Sequence, residues 1–295
     1  MPQISDLSRR ISDSPTLKLN DRANRLREEG APVIHLGGGE PQSAMPQSAL
    51  EASLKKIQSG RVKYTPVGGT KPMKKAVLGY TERHYGKSFK PENVLVSSGA
   101  KQALYNFLLA ALNPGDEVLF PAPYWVSYPD MARLAGATPV IVRPPQGAFE
   151  PRFEDLARAV TPKTRAIILN SPNNPSGEVY SEDLLRETSR LCLERGIYLV
   201  MDDIYHQLVF DGLKAPSCFG LAKDDSHIVV INGISKLYGM TGFRIGWAVG
   251  EKELIAAMNR LQGQTTSCPS DISQTAATAA LEGPQDCIAQ LRAAL

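Results

Sequence analysis

The chain has 295 residues, 42% hydrophobic and 21% charged, an ordinary globular balance that excludes a disordered or collagen-like chain and allows a sizeable core. Its 33 basic and 30 acidic residues leave a formal charge of +3, too even to indicate a nucleic-acid protein. No uninterrupted apolar run of about 18 residues occurs, so no membrane-spanning helix is expected.

The first residues, MPQISDLSRRISDS, carry Arg9 and Arg10 with no apolar stretch behind them. Asp6 and Asp13 argue against an organelle transit peptide, and a cytoplasmic location is expected. Residues 1–45 read as an extended or helical arm, and 46–283 as the main domain. From about residue 90, short apolar runs alternate with helical patterns. The expected strands are Val94–Ser97, Glu117–Phe120, Thr138–Val142, Ala166–Asn170, Ile197–Asp202, Ile228–Ile231 and Ile245–Val249. Several are continuously apolar, as strands buried on both faces are. Between them, Ser181–Arg195 is the clearest helix. Ser181 caps it, Glu182 and Asp183 suit its positive end, and Leu184, Leu185, Thr188, Leu191 and Cys192 form one stripe before Gly196 stops it. This alternation predicts an α/β fold, a mostly parallel seven-stranded sheet sandwiched by helices, with ligands at the carboxyl ends of the strands. The last stretch, residues 284–295, places Ile288, Leu291 and Leu295 at helical spacing and ends without a cap. A further element is expected beyond it, that is, a C-terminally truncated chain.

The four cysteines and four histidines match no metal-ligand or redox spacing, so reduced thiols, no metal site and no Ser-His-Asp triad are expected. The candidate chemistry lies at strand ends. In VSSGAKQAL (96–104), Gly99 permits a tight turn into a helix whose first backbone N–H groups can hold an anion. Trp125 follows the next strand and can stack on a flat ring, although a core or lid tryptophan is as good a reading. SPNNPSG (171–177) is a rigid turn that can aim asparagine side chains at a ligand. Asp202 ends an apolar strand, where a carboxylate needs a cation or hydrogen bonds; Asp203 points to the other face and Tyr205 follows. Lys236 and Arg244 share a Gly-rich segment, 232–247. A desolvated lysine forms Schiff bases, and arginine suits phosphate. An anion nest, a stacking ring, an asparagine, a buried acid, an amine and an arginine together suit one ligand, pyridoxal 5′-phosphate.

The motifs GGGEP (37–41), KYTPVGG (63–69), SSGAKQAL, PGDEV (114–118), PYWVSYP (123–129), SPNNPSG, DDIY and SKLYGMTGFRIGW run in order from residue 37 to 247. In them the chain resembles class I, fold type I pyridoxal-phosphate aminotransferases, most of all the bacterial aspartate aminotransferase branch. The resemblance implies that Lys236 condenses with the cofactor aldehyde and Asp202 pairs with its ring nitrogen. It implies that Tyr205 and Asn174 bond the ring oxygen, that Trp125 stacks on the ring, and that Gly99, Ala100, Lys101, Ser235 and Arg244 surround the phosphate. Tyr64 would reach the phosphate of a neighbouring subunit, implying a homodimer. Gly39, Trp125 and Asn174 would receive the substrate. At Gly233 some relatives carry Ser. The arginine that binds the substrate α-carboxylate belongs to the small domain, of which residues 1–45 would supply a segment and 284–295 the first part of an interdomain helix. The implied reaction moves an amino group from an L-amino acid, aspartate first, to a 2-oxo acid such as 2-oxoglutarate. Aromatic amino acids, prephenate and alanine remain open. The alternatives are a β-lyase or decarboxylase on the same fold, an inactive truncated fragment that binds cofactor, and a nicotinamide-dependent dehydrogenase, to which GGG at 37–39 is poorly spaced.

Overall fold

The computed structural model describes residues 2–11, 13 and 15–295; Met1, Ser12 and Ser14, part of the expected arm, lie outside the described residues. The strands are β1 (Val94–Ser97), β2 (Glu117–Pro121), β3 (Thr138–Val142), β4 (Thr164–Asn170), β5 (Tyr198–Asp202), β6 (Ile228–Gly233) and β7 (Gly246–Val249). They form one sheet in the order β1-β7-β6-β5-β4-β2-β3. Neighbouring strands are parallel except at β7, which runs antiparallel to both β1 and β6. All seven expected strands are present, two with the expected ends and five with one end moved by one or two residues.

Successive side chains leave a strand on opposite faces, and both faces here are dry. Leu199, Met201, Val230 and Trp247 belong to one apolar cluster, and Val200, Val229, Ile231 and Ala248 to the other. The first cluster is covered by helices Lys71–Tyr85, Glu182–Arg195 and Asp271–Glu282, and the second by Ala100–Ala111, Tyr128–Leu134 and Lys252–Thr265. The helix from Glu182 has the expected ends. The Ser181 hydroxyl accepts from the Leu184 N–H at 3.3 Å, and Gly196 closes it at φ 63°. The arm contains two helices, Asp6–Arg10 and Pro15–Glu28, followed by irregular chain to residue 46. Near the other end, helix Asp286–Ala294 buries Ile288 and Leu291 and leaves Leu295 exposed. Among the described residues, no helix is long and apolar enough to cross a membrane.

The end of β5 carries two consecutive acids on opposite faces. Asp203 lies under the helices, beside Tyr85 and Cys218, and is 1% exposed. Neither of its carboxylate oxygens has a hydrogen-bond partner among the described residues. Burial pushes its pKa from 3.8 up to about 8, the nearby Tyr85 hydroxyl opposing and Asp202 adding to the rise. Around it, polar groups pair with one another. Tyr80 Oη meets His206 Nε2 at 2.9 Å and accepts from Gln207 Nε2 at 2.9 Å, and Asn232 Nδ2 donates to Tyr85 Oη at 3.0 Å. A group with a raised folded-state pKa stabilises fully below its ordinary value and loses that contribution as pH rises through the folded value. Asp203 therefore weighs on the fold progressively from about pH 4 to about pH 8. Asp203→Asn is expected to match the parent in urea unfolding near pH 4 and to exceed it by on the order of several kcal/mol near pH 9. Equal stabilities at the higher pH would contradict this account of Asp203.

Candidate active site

The topology gathers the chemistry at one edge. β1, β4, β5 and β6 end there, and β7 begins there because it runs the other way. Ser97, Gly246 and Gly233 face one another across the ladder, as do Asn170 and Asp202. Arg244 precedes β7, Lys236 follows β6, Tyr205 follows β5 and Asn174 follows β4.

Asp202 is buried. Its Oδ2 accepts from the Tyr128 hydroxyl at 2.6 Å, and its Oδ1 has no partner among the described residues. Burial raises its pKa to about 6, against the opposing Tyr128 hydroxyl and Ile204 N–H. Such a carboxylate gains most from a cationic N–H donor. Tyr205 accepts from Asn174 Nδ2 at 3.3 Å, and burial lifts its phenol to about 12, so it is a neutral donor. Asn174 is held by its own N–H, which donates to Asn170 Oδ1 at 2.7 Å.

On the other side, Gly99 sits at φ 91° before the helix that starts at Ala100. A Cβ there would lie 2.5 Å from Arg244 Nη2. Likewise, a Cβ on Gly246 would lie 2.2 Å from the Ala100 backbone N. Only glycines let the arginine and the helix start approach this closely. Arg244 is left-handed at φ 53° and donates from Nη1 to the Thr241 carbonyl at 2.9 Å. Lys101 lies 4.7 Å from the centroid of the Trp125 ring, and its pKa is lowered by burial and then by Arg244. Two cations and a helix N-terminus thus converge on one spot, a setting that suits a phosphate. Ser235 is buried beside Lys236 in the sequence. A Cβ on Gly233 would meet the Ile245 carbonyl at 2.8 Å, so no hydroxyl side chain fits there without a backbone shift.

Lys236 Nζ donates to the Gly39 carbonyl, and Thr241 Oγ1 donates to Glu40, which together fasten the GGGEP segment over the site. Burial lowers the Lys236 pKa; Glu40 pulls it up and Arg244 pushes it down. The GGG triplet lies in irregular chain, not between a strand and a helix, so it makes no dinucleotide-binding turn. Tyr64 does not join the cluster. It is 95% exposed, on a segment pinned by two buried glutamines. Gln262 Nε2 donates to the Val67 and Val96 carbonyls at 2.7 and 2.8 Å, and Gln274 Oε1 accepts from the Thr70 N–H at 2.7 Å.

Sequence reasoning missed Tyr128 and Asn170. Tyr128 lies three residues after Trp125 within the quoted PYWVSYP, but its contact with Asp202 spans 74 positions and leaves no local signal. Asn170 was legible only as the last residue of a strand.

Residues 31–295 match the family model described as aminotransferase class I and II. The chain is similar to an aspartate aminotransferase of Geobacillus stearothermophilus, 42% identical over 286 residues, covering 96% of this chain and 73% of that protein. It is also similar to an aspartate/prephenate aminotransferase of Cereibacter sphaeroides, 43% identical, covering 100% of this chain and 74% of that one. Among solved structures, the aspartate aminotransferase of Thermus thermophilus with maleate superposes with a TM-score of 0.95 at 39% identity, over 100% of this chain and 76% of that one. The chain thus spans about three quarters of the length of these relatives. The names of these relatives do not favour the lyase, decarboxylase or dehydrogenase readings, and the chain belongs to the class I and II aminotransferases, enzymes that transfer amino groups with pyridoxal phosphate.

Proposed function

We propose that the site residues act as the resemblance implies and that the amino donor is aspartate and the acceptor 2-oxoglutarate. The observation that carries the site reading is Asp202 Oδ1, buried without a partner among the described residues at the sheet edge that also holds Lys236 and the glycine-lined approach of Arg244 to the Ala100 helix start. These residues fit a flat ring with a protonated nitrogen at one end and a phosphate at the other. Asp202 would hold the nitrogen, Tyr205 and Asn174 the ring oxygen, Trp125 the ring face, and Gly99, Ala100, Lys101, Ser235 and Arg244 the phosphate. Gly39, Trp125 and Asn174 would receive the substrate. When bound, the cofactor supplies an aldehyde that takes up the amino group and an electron-poor ring that stabilises negative charge at the substrate Cα.

The protein's part follows from its groups. Lys236, with its pKa lowered by burial, holds more of its amine neutral at a given pH than a surface lysine does, and the neutral amine is both nucleophile and base. It would take the proton from the substrate Cα and return it on the cofactor side. Asp202, ionised beside a cation, would keep the ring nitrogen protonated. The donors of Tyr205 and Asn174 would fix the ring in its plane. The aspartate assignment is supported by the names of the relatives, two of them aspartate aminotransferases; the Cereibacter protein's name makes prephenate the second acceptor to assay.

Homodimerisation belongs to the same proposal. Leu50, Leu54 and Ile57 recur at helical spacing on helix Gln47–Gln58, and all three are exposed, with Val62 and Tyr64 just beyond. An apolar stripe of that length suits a second copy of the chain, and Tyr64 would then reach that copy's phosphate. The division into arm and small-domain segment (1–45), cofactor domain (46–283) and start of an interdomain helix (284–295) is likewise proposed. It is supported by the sheet, all of whose strands lie within 94–249.

Borohydride reduction of the cofactor-loaded chain is expected to attach the cofactor to the peptide containing Lys236. Lys236→Ala should fold, lose that attachment, and lose transamination by about 10⁴-fold or more. Attachment at another lysine, or turnover within about tenfold of the parent, would reject the assignment. For the dimer, Leu54→Asp with Ile57→Asp is expected to sediment as a monomer at concentrations where the parent sediments as a dimer. A dimeric double variant would place the interface elsewhere.

A further inference from the structure

Asn170 ends β4, directly across the ladder from Asp202. It is 3% exposed, and both ends of its amide are engaged. Nδ2 donates to the Asp202 carbonyl at 2.7 Å, and Oδ1 accepts from the Asn174 N–H at 2.7 Å. Asn174 in turn donates to the Tyr205 hydroxyl at 3.3 Å, and Tyr205 returns to Asp202 through three peptide bonds. Asp202, Asn170, Asn174 and Tyr205 therefore form a closed ring of contacts across two strand ends. The turn after Asn170 also has bonds of its own. Asn173 accepts from the Ser176 N–H and hydroxyl at 3.2 and 2.9 Å, donates from Nδ2 to the Pro123 carbonyl at 3.2 Å, and pairs through its backbone with Glu178 and Gly177. What Asn170 adds is the link between that turn and β5. No other side chain of similar size both donates and accepts in this way. Leucine does neither, an ionised aspartate only accepts, and serine is too short to span both partners.

We propose that Asn170 is a positioning residue that sets the spacing between the Asp202 carboxylate and the Asn174–Tyr205 pair. It rests on the cofactor reading above, in which these groups hold opposite sides of one ring. Donors aimed at the ring oxygen disperse the negative charge that retains the chromophore's proton, so misplacing Asn174 should strengthen that proton's hold.

The test titrates the visible absorption of the pyridoxal-phosphate-loaded full chain against pH, for the parent, Asn170→Ala, Asn174→Ala and the double variant. Both single variants are expected to move the transition upward by about 0.5 pH unit or more, and the double variant by less than their sum. A purely structural Asn170 would lower the melting temperature and leave the titration in place. An Asn170→Ala transition within about 0.1 pH unit of the parent, or fully additive shifts, would overturn the proposal. So would an unmoved Asn174→Ala. Should Asn170→Ala fail to fold, Asn170→Ser adds no charge and is too short to span both partners. It should shift the transition in the same direction, and an unchanged titration would overturn the proposal. A parent chain with no visible band attached at Lys236 sinks the cofactor reading first, and this inference with it.

Discussion

A carboxylate taken out of water at the end of a central strand is costly, and the surroundings of Asp202 answer that cost only in part. One oxygen receives the Tyr128 hydroxyl; the other has no partner among the described residues. Burial accordingly keeps the acid far weaker than a surface aspartate. A cationic partner would reverse that balance, because the same low-dielectric surroundings that penalise the lone charge strengthen its attraction to an opposite one. The neighbouring elements share this economy. Tyr205 is kept neutral, Lys236 is made easier to deprotonate, and Arg244 makes the Lys101 charge less favourable, a repulsion that an anion between them would relieve.

Much of this was legible in the sequence, for reasons that differ between elements. The strands were visible because continuous apolar runs such as Ile228–Ile231 have few alternatives once both faces are buried. The helix after Ser181 announced itself by cap, dipole and stripe. Lys236, Asp202, Asn174 and Arg244 stood out as reactive residue types at strand ends. Direction was not legible: nothing in GWAV says that β7 runs against its neighbours, since an apolar run reads the same either way. Nor were contacts that exist only after folding. Tyr128 and Asn170 look like a helix start and a strand end until β2, β4 and β5 are laid side by side.

The reversal of β7 has a local use. A crossover to a parallel strand would carry the chain to the far end of the sheet before returning. By turning back at once, the segment from Lys236 to Arg244 stays at the ligand edge and delivers an amine and a guanidinium within a few residues. The tight packing of Gly246 on Ala100 and of Arg244 on Gly99 is what that short path requires.

β5 also raises a question of alignment. Its sequence, YLVMD followed by Asp203, is apolar toward both helical layers and acidic toward both at its end. Sliding it by one position would exchange the two faces while leaving the polarity of each almost unchanged, so greasy side chains alone cannot select the correct alignment. The contact that tells the two aspartates apart is the Tyr128 hydroxyl, which donates to the Asp202 carboxylate, whereas the Asn170 amide reaches only the Asp202 backbone carbonyl. A contact that readies this edge for a ligand therefore also locks the central strand in place.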